Sequence, residues 1–368
     1  MPWDNTLCNV SAFRFYRIPP AVLMMLPPVT LDPTDTKRQK LRDNPTARDV
    51  LGLPLNLLVA SPSERTNATS IKHRVHAGYL PPETIRETPL DINVTSPLFT
   101  LLSLATTLTV ESLALVLYEM CGTFTVFKPT PELELAIKPF EEQLRHGIGG
   151  WSRIPDESGK PSNLWKRPPL VDIGELHAFI ADCRGQRGVK RLKQAAGMLT
   201  GTTASPFEAQ LSMLLSLPIA RGGEGLPHLV NNHEVTLSEK AKRLCKKSRA
   251  YIDILLTSPE GGRVLPLECQ GRMVHGQSGV KETDADRATA LSAMGYDILF
   301  VTYSQISQRD QFDILRRLIF EKLRMRYRDK TSTETRAEID LRRKIFIDWE
   351  KLGAPEVKRS DFGKPRRP

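Results

Sequence analysis

Two acidic residues sit inside runs that otherwise read as buried strands: Asp253 in AYIDILLTS and Glu268 in RVLPLECQG. The intervening PEGG is a turn, so the two runs are predicted to form a β-hairpin. On one face of such a hairpin, cross-strand neighbours lie about 5 Å apart, close enough for two carboxylates to meet. Unpaired carboxylates in an apolar setting repel one another and are costly to bury. A divalent cation removes that cost, and hard oxygen ligands suit Mg²⁺ or Mn²⁺. A cation held there can polarise a phosphodiester oxygen and activate water, so the chemistry expected is phosphodiester hydrolysis. Asp253 and Glu268 are the expected metal ligands. Gln270 follows two residues on, and His275 lies seven past Glu268.

The elements that must position this pair follow the order α-β-β-α-β. SPFEAQLSMLLSLP reads as a helix with Phe207, Leu211, Leu214 and Leu215 on one face. After the hairpin, DADRATALSAMGYDILFVTYSQI reads as a helix, a stop at Gly295 and a strand. Ser205 and Glu208 fit a capping box at the start of the first helix, which gives Glu208 a structural role. Asp284, Asp286 and Arg287 read as the N-terminal charges of the second helix. RGGEGLP matches neither nucleotide-binding glycine pattern and reads as a turn.

These residues together resemble the PD-(D/E)xK nuclease superfamily, and within it the very-short-patch-repair-like endonuclease domain. The resemblance covers roughly residues 205–306: Asp253 in one strand, Glu268-Cys269-Gln270-Gly271 in the next, His275 downstream, then the Asp/Arg-bearing helix, the glycine and GYDILFVTYSQI. It implies a restriction-endonuclease-like mixed α/β sheet flanked by helices, acting on DNA. It implies Asp253 and Glu268 as metal ligands with Glu208 nearby, the Cys269 carbonyl as a further ligand, and His275 in water activation or leaving-group protonation. Where the superfamily places Lys, and this group Asp, the chain has Gln270, which can orient water or phosphate but carries no charge. PLDINVTSPLFTLLSLA is similar to a segment shared with AbiEi-type abortive-infection regulators, implying a smaller α/β domain before the nuclease-like one. The rival reading is therefore a non-catalytic DNA-binding regulator, antitoxin-like, on a worn nuclease fold.

The 368 residues divide, on this reading, into an irregular segment (1–45), the AbiEi-like α/β domain (46–125), a linker with helices (126–204), the nuclease-like domain (205–306) and a basic helical extension (307–368). Composition is that of a globular chain, with 40% hydrophobic residues. The net charge of +10 favours a polyanionic partner. Residues 309–368 carry 18 Lys or Arg against 11 Asp or Glu, and a second basic run, KAKRLCKKSR, occupies 240–249. The five cysteines are scattered without CxxC spacing, which points to reduced thiols in a cytoplasmic protein. AVLMML is too short to span a bilayer, so no membrane partner is expected. Any cognate protein partner is left open.

Overall fold

The computed structural model describes residues 5–32, 35, 38–66, 68–78, 80–156, 158–270 and 278–353, with 278–284 as backbone only. The chain is mixed α/β, with three sheets among the described residues. The first contains β1 (Thr6–Leu7), β2 (Leu55–Val59), β3 (Ile71–Val75), β4 (Ile85–Arg86) and β5 (Asn93–Thr95), in the order β3-β2-β1-β5-β4. The irregularity expected of residues 1–45 does not extend to this part. Two residues of β1 pair with β2 on one side and β5 on the other, and the helix Asn9–Phe15 follows directly. A strand this short leaves no readable alternation, which is why it escapes a sequence pattern.

The second sheet holds β6 (Phe124–Val126), β7 (Ser152–Pro155) and β8 (Pro161–Lys166), all antiparallel, in a stretch expected to be linker and helices. Its prolines sit at strand ends, and the fully buried Trp165 on β8 anchors it to the core. Asp156 closes the β7–β8 turn by accepting the backbone N–H groups of Ser158 and Lys160, each at 2.9 Å.

The third sheet, β12-β11-β10-β9, carries the candidate site. β9 (His228–Thr236) and β10 (Arg249–Thr257) are antiparallel, as are β10 and β11 (Val264–Gln270), whereas β12 (Leu299–Thr302) runs parallel to β11. Helices cover both faces. Phe207, Leu211 and Leu214 of the helix Pro206–Ser216 share a core with Ile254, Leu256, Leu265 and Leu267. On the opposite face Ala290 and Leu291 of the helix Ser278–Ala293 pack with Val235, Ile252 and Leu255.

The C-terminal helices Arg309–Lys322 and Ser332–Ile345 are part of the body of the protein, with Phe312, Ile319 and Ile345 fully buried. Part of the charge on these helices and the loop between them is spent internally. Lys330 Nζ reaches Glu224 at 2.7 Å and Glu338 at 2.9 Å, while Arg342 meets Glu338 at 3.0 Å and Arg316 lies 3.4 Å from Glu224. Glu224 belongs to the RGGEGLP turn, and Gly222 there admits the terminal helix. A Cβ on Gly222, whose φ is +94°, would stand 2.4 Å from the Ala337 carbonyl oxygen. Among the described residues no helix is long and apolar enough to cross a membrane.

Candidate functional site

The register of the β10–β11 ladder decides the geometry. Its last pair is Ile254↔Leu267, so the next step sets Asp253 against Glu268 at the point where pairing ends. Beyond that point the Asp253 carboxylate substitutes for a strand carbonyl. Its Oδ2 accepts the backbone N–H of Cys269 at 2.8 Å. On the other side, β9 pairs His233 with Ile252 and Asn231 with Ile254, leaving Asn232 opposite Asp253 with φ +50°. This break lets the two halves of β10 serve different cores: Ala250 and Ile252 face one helix layer, Ile254 and Leu256 the other.

Asn231, unremarked in the sequence, holds Asp253 from behind. It is buried, and its Nδ2 donates to Ser212 Oγ at 2.7 Å and, more weakly, to the Asp253 carbonyl at 3.4 Å. Its Oδ1 accepts from Thr200, whose hydroxyl in turn lies 2.9 Å from that of Tyr118. A continuous polar chain thus links the strand bearing Asp253 to the helix Val110–Met120.

Glu208 closes the arrangement from the first helix. Ser205 Oγ accepts the Glu208 N–H at 3.2 Å, and the Glu208 carboxylate accepts from Ser205 Oγ at 2.8 Å and from the Ala204 N–H at 2.7 Å. It is therefore a helix cap, as its sequence position suggests, and also a neighbour of the acidic pair. Burial, then repulsion from Asp253 and, more weakly, from Glu268, push its pKa up to about 8 against the two cap hydrogen bonds. The Cys269 thiol is likewise pushed well above its ordinary range, by burial and then by Glu208, Asp253 and Glu268.

Glu268 is 5% exposed and pairs with Arg287, whose Nη2 lies 2.7 Å from Oε2. Arg287 was expected among the surface charges of its helix; it instead points into the site. The sequence holds a signal for this, because the helix Ser278–Ala293 must lie across the sheet for Ala290 and Leu291 to be buried, which turns Arg287 one helical turn earlier toward the same face. Gln270 is the exposed last residue of β11, paired with Thr302 of β12. Asp286 is half-buried. His275 and the Asp284 side chain lie outside the described residues.

The three acids share one electrostatic neighbourhood without converging on a point. Among the described residues no three His, Cys, Asp or Glu side chains are grouped so as to hold a metal ion. Asp253 and Glu268 supply the oxygen donors that a hard divalent cation requires. Glu208 is committed to its cap and Glu268 Oε2 to Arg287, so a cation would compete with the guanidinium for Glu268. No protein-family model, curated protein or solved structure matches this chain.

Proposed function

We propose that the protein is a metal-dependent nuclease acting on DNA, built on a restriction-endonuclease-like sheet, with Asp253 and Glu268 as the ligands of one Mg²⁺ or Mn²⁺. The observation that carries this reading is the register that sets Asp253 opposite Glu268 where β10 and β11 part, with Glu208 close enough for its proton affinity to be raised. A cation bound there supplies Lewis-acid polarisation of a phosphodiester oxygen. The chain's own residues do the rest. The Cys269 N–H fixes the Asp253 carboxylate, and the Asn231 network fixes the strand behind it. Gln270, exposed at the strand end, orients water or a phosphate oxygen through its amide. His275 remains the candidate for proton transfer.

The rival, a DNA-binding regulator that no longer cuts, draws on the Arg287–Glu268 ion pair and on the uncharged Gln270. Supercoiled plasmid incubated with the protein and Mg²⁺ or Mn²⁺ separates the two. Nicking by the parent that is lost in Asp253→Asn and Glu268→Gln supports the nuclease. DNA retention by all three proteins with no metal-dependent nicking by any supports the regulator.

A further inference from the structure

The chain has two basic regions, and ion pairing distinguishes them. In the C-terminal region Arg316, Lys330 and Arg342 are turned inward onto Glu224 and Glu338, and the exposed Arg324, Arg326 and Arg336 are interleaved with Glu321, Asp329, Glu334 and Asp340. The run 240–249 is different. It forms the tip of the β9–β10 ribbon, whose ladder extends from His228↔Thr257 to Thr236↔Arg249 and is closed by the short helix Glu239–Cys245. Lys242 pairs with Glu239 and Arg249 with Glu234. Lys240, Arg243, Lys246 and Lys247 are exposed, with no ion pair among the described residues. No acidic residue lies between Glu239 and Asp253.

We propose that this ribbon tip is the surface that grips the phosphate backbone of nucleic acid passing over the Asp253–Glu268 site. Arg249, at the end of the ladder, is four residues from Asp253, about 13 Å along a strand. That span corresponds to roughly four steps of a duplex at 3.4 Å each, so a backbone crossing the acids also reaches the tip. A membrane surface fits less well, because Ala241 of the short helix is fully buried and Leu244 is its one exposed large apolar side chain, too little to insert. The choice of nucleic acid rests on the proposed phosphodiester chemistry, but the binding itself does not require cleavage.

The test is fluorescence anisotropy of a labelled mixed-sequence 20-base-pair DNA duplex in EDTA, across a salt series. The variant is Lys240→Ala, Arg243→Ala, Lys246→Asn and Lys247→Ala combined; Asn is chosen because Lys246 has φ +54°. Each phosphate contact contributes about 0.9 to the slope of log affinity against log salt. The combined variant should therefore lose about 3 to 4 from that slope and at least about tenfold in affinity at 0.1 M salt. Arg324→Asn (Asn again for a φ of +53°), Arg326→Ala and Arg336→Ala combined, which removes exposed C-terminal cations, should keep the parent's slope within about 1. Circular dichroism confirms that each variant folds, and the Lys246→Asn, Lys247→Ala pair should lose about half as much slope. The proposal is overturned if the ribbon variant binds like the parent or if the C-terminal variant loses as much. It is also overturned if the parent ignores duplex while binding phosphatidylserine vesicles. Because no metal is present, tip-dependent binding by a protein that never nicks DNA would sink the nuclease reading alone.

Discussion

Asp253 Oδ2 accepts the N–H of Cys269 across the point where β10 and β11 separate, at 2.8 Å. The contact gives a charged side chain a structural duty, and substitutions can divide the two. Asp253→Asn keeps an acceptor oxygen and removes the charge. It should melt near the parent temperature in EDTA yet lose any rise produced by Mn²⁺. Asp253→Ala leaves the Cys269 N–H without that acceptor and should cost about 1–3 kcal/mol on its own. Thermal melts with and without Mn²⁺ measure both, and an equal Mn²⁺ response in parent and Asp253→Asn would remove the metal site.

Glu208 imposes a pH dependence of definite sign. Its folded-state pKa of about 8 lies above its ordinary 4.5, so the folded protein holds a proton that the unfolded chain has released. This contribution to stability is complete below about 4.5 and is lost as pH rises toward 8, with a slope approaching about 1.4 kcal/mol per pH unit between those limits. Glu208→Gln should flatten that part of the denaturation profile. Urea midpoints at several pH values from 5 to 9 provide the comparison, and an unchanged profile would count against the shift.

Arg287 and a cation compete for Glu268. Removing the guanidinium leaves a carboxylate that is 5% exposed without this partner, a loss that costs several kcal/mol when such pairs are fully buried and less here, where Arg287 is partly exposed. Arg287→Ala should melt lower in EDTA and gain more than the parent from Mn²⁺. A variant that melts lower and gains nothing would favour the regulator.

The inward-turned charges of the C-terminal helices should be fragile singly and replaceable together. Lys330→Met strips Glu224 and Glu338 of their closest cation, at 2.7 and 2.9 Å, and should destabilise by about 3 kcal/mol. Changing Glu224 to Met as well should recover part of the loss. Chemical denaturation of the single and double variants decides this, and additive losses would argue against coupling.

Gly222→Ala tests the close approach of the turn to the last long helix. The added methyl would meet the Ala337 carbonyl at 2.4 Å in a backbone conformation with φ +94°, and the expected cost is about 1–3 kcal/mol. A melting temperature equal to the parent's would show that the helix can retreat.

How much of this was legible beforehand varies by element. The hairpin bearing Asp253 and Glu268, and the capped helix bearing Glu208, follow from apolar periodicity, a glycine turn and a Ser-Pro-x-Glu start, all local signals. β9 was not, because its inward positions include Asn231 and His233 beside Leu229 and Val235, and a buried amide disguises the alternation. β6 to β8 were hidden by prolines that read as linker. The Arg287–Glu268 pair has one local signal, the helical spacing of Arg287 from Ala290 and Leu291, but its partner lies 19 residues away on another element. The basic extension was visible as charge, but its burial against Glu224 was not, since the partners are about a hundred residues apart.

The last described residues also touch the first. Arg17 reaches the Glu350 carbonyl, Phe124 stacks edge-on against Trp349, Gln210 donates to the Ile345 carbonyl, and Gly353 lies against Phe13. On the ribosome, therefore, the surface formed by Phe13, Arg17, Phe124 and Gln210 stays open until residues 345–353 emerge to cover it. Until translation delivers those residues, the nascent protein carries exposed apolar ground around Phe13 and Phe124, and a stalled ribosome would leave it a natural client for chaperones.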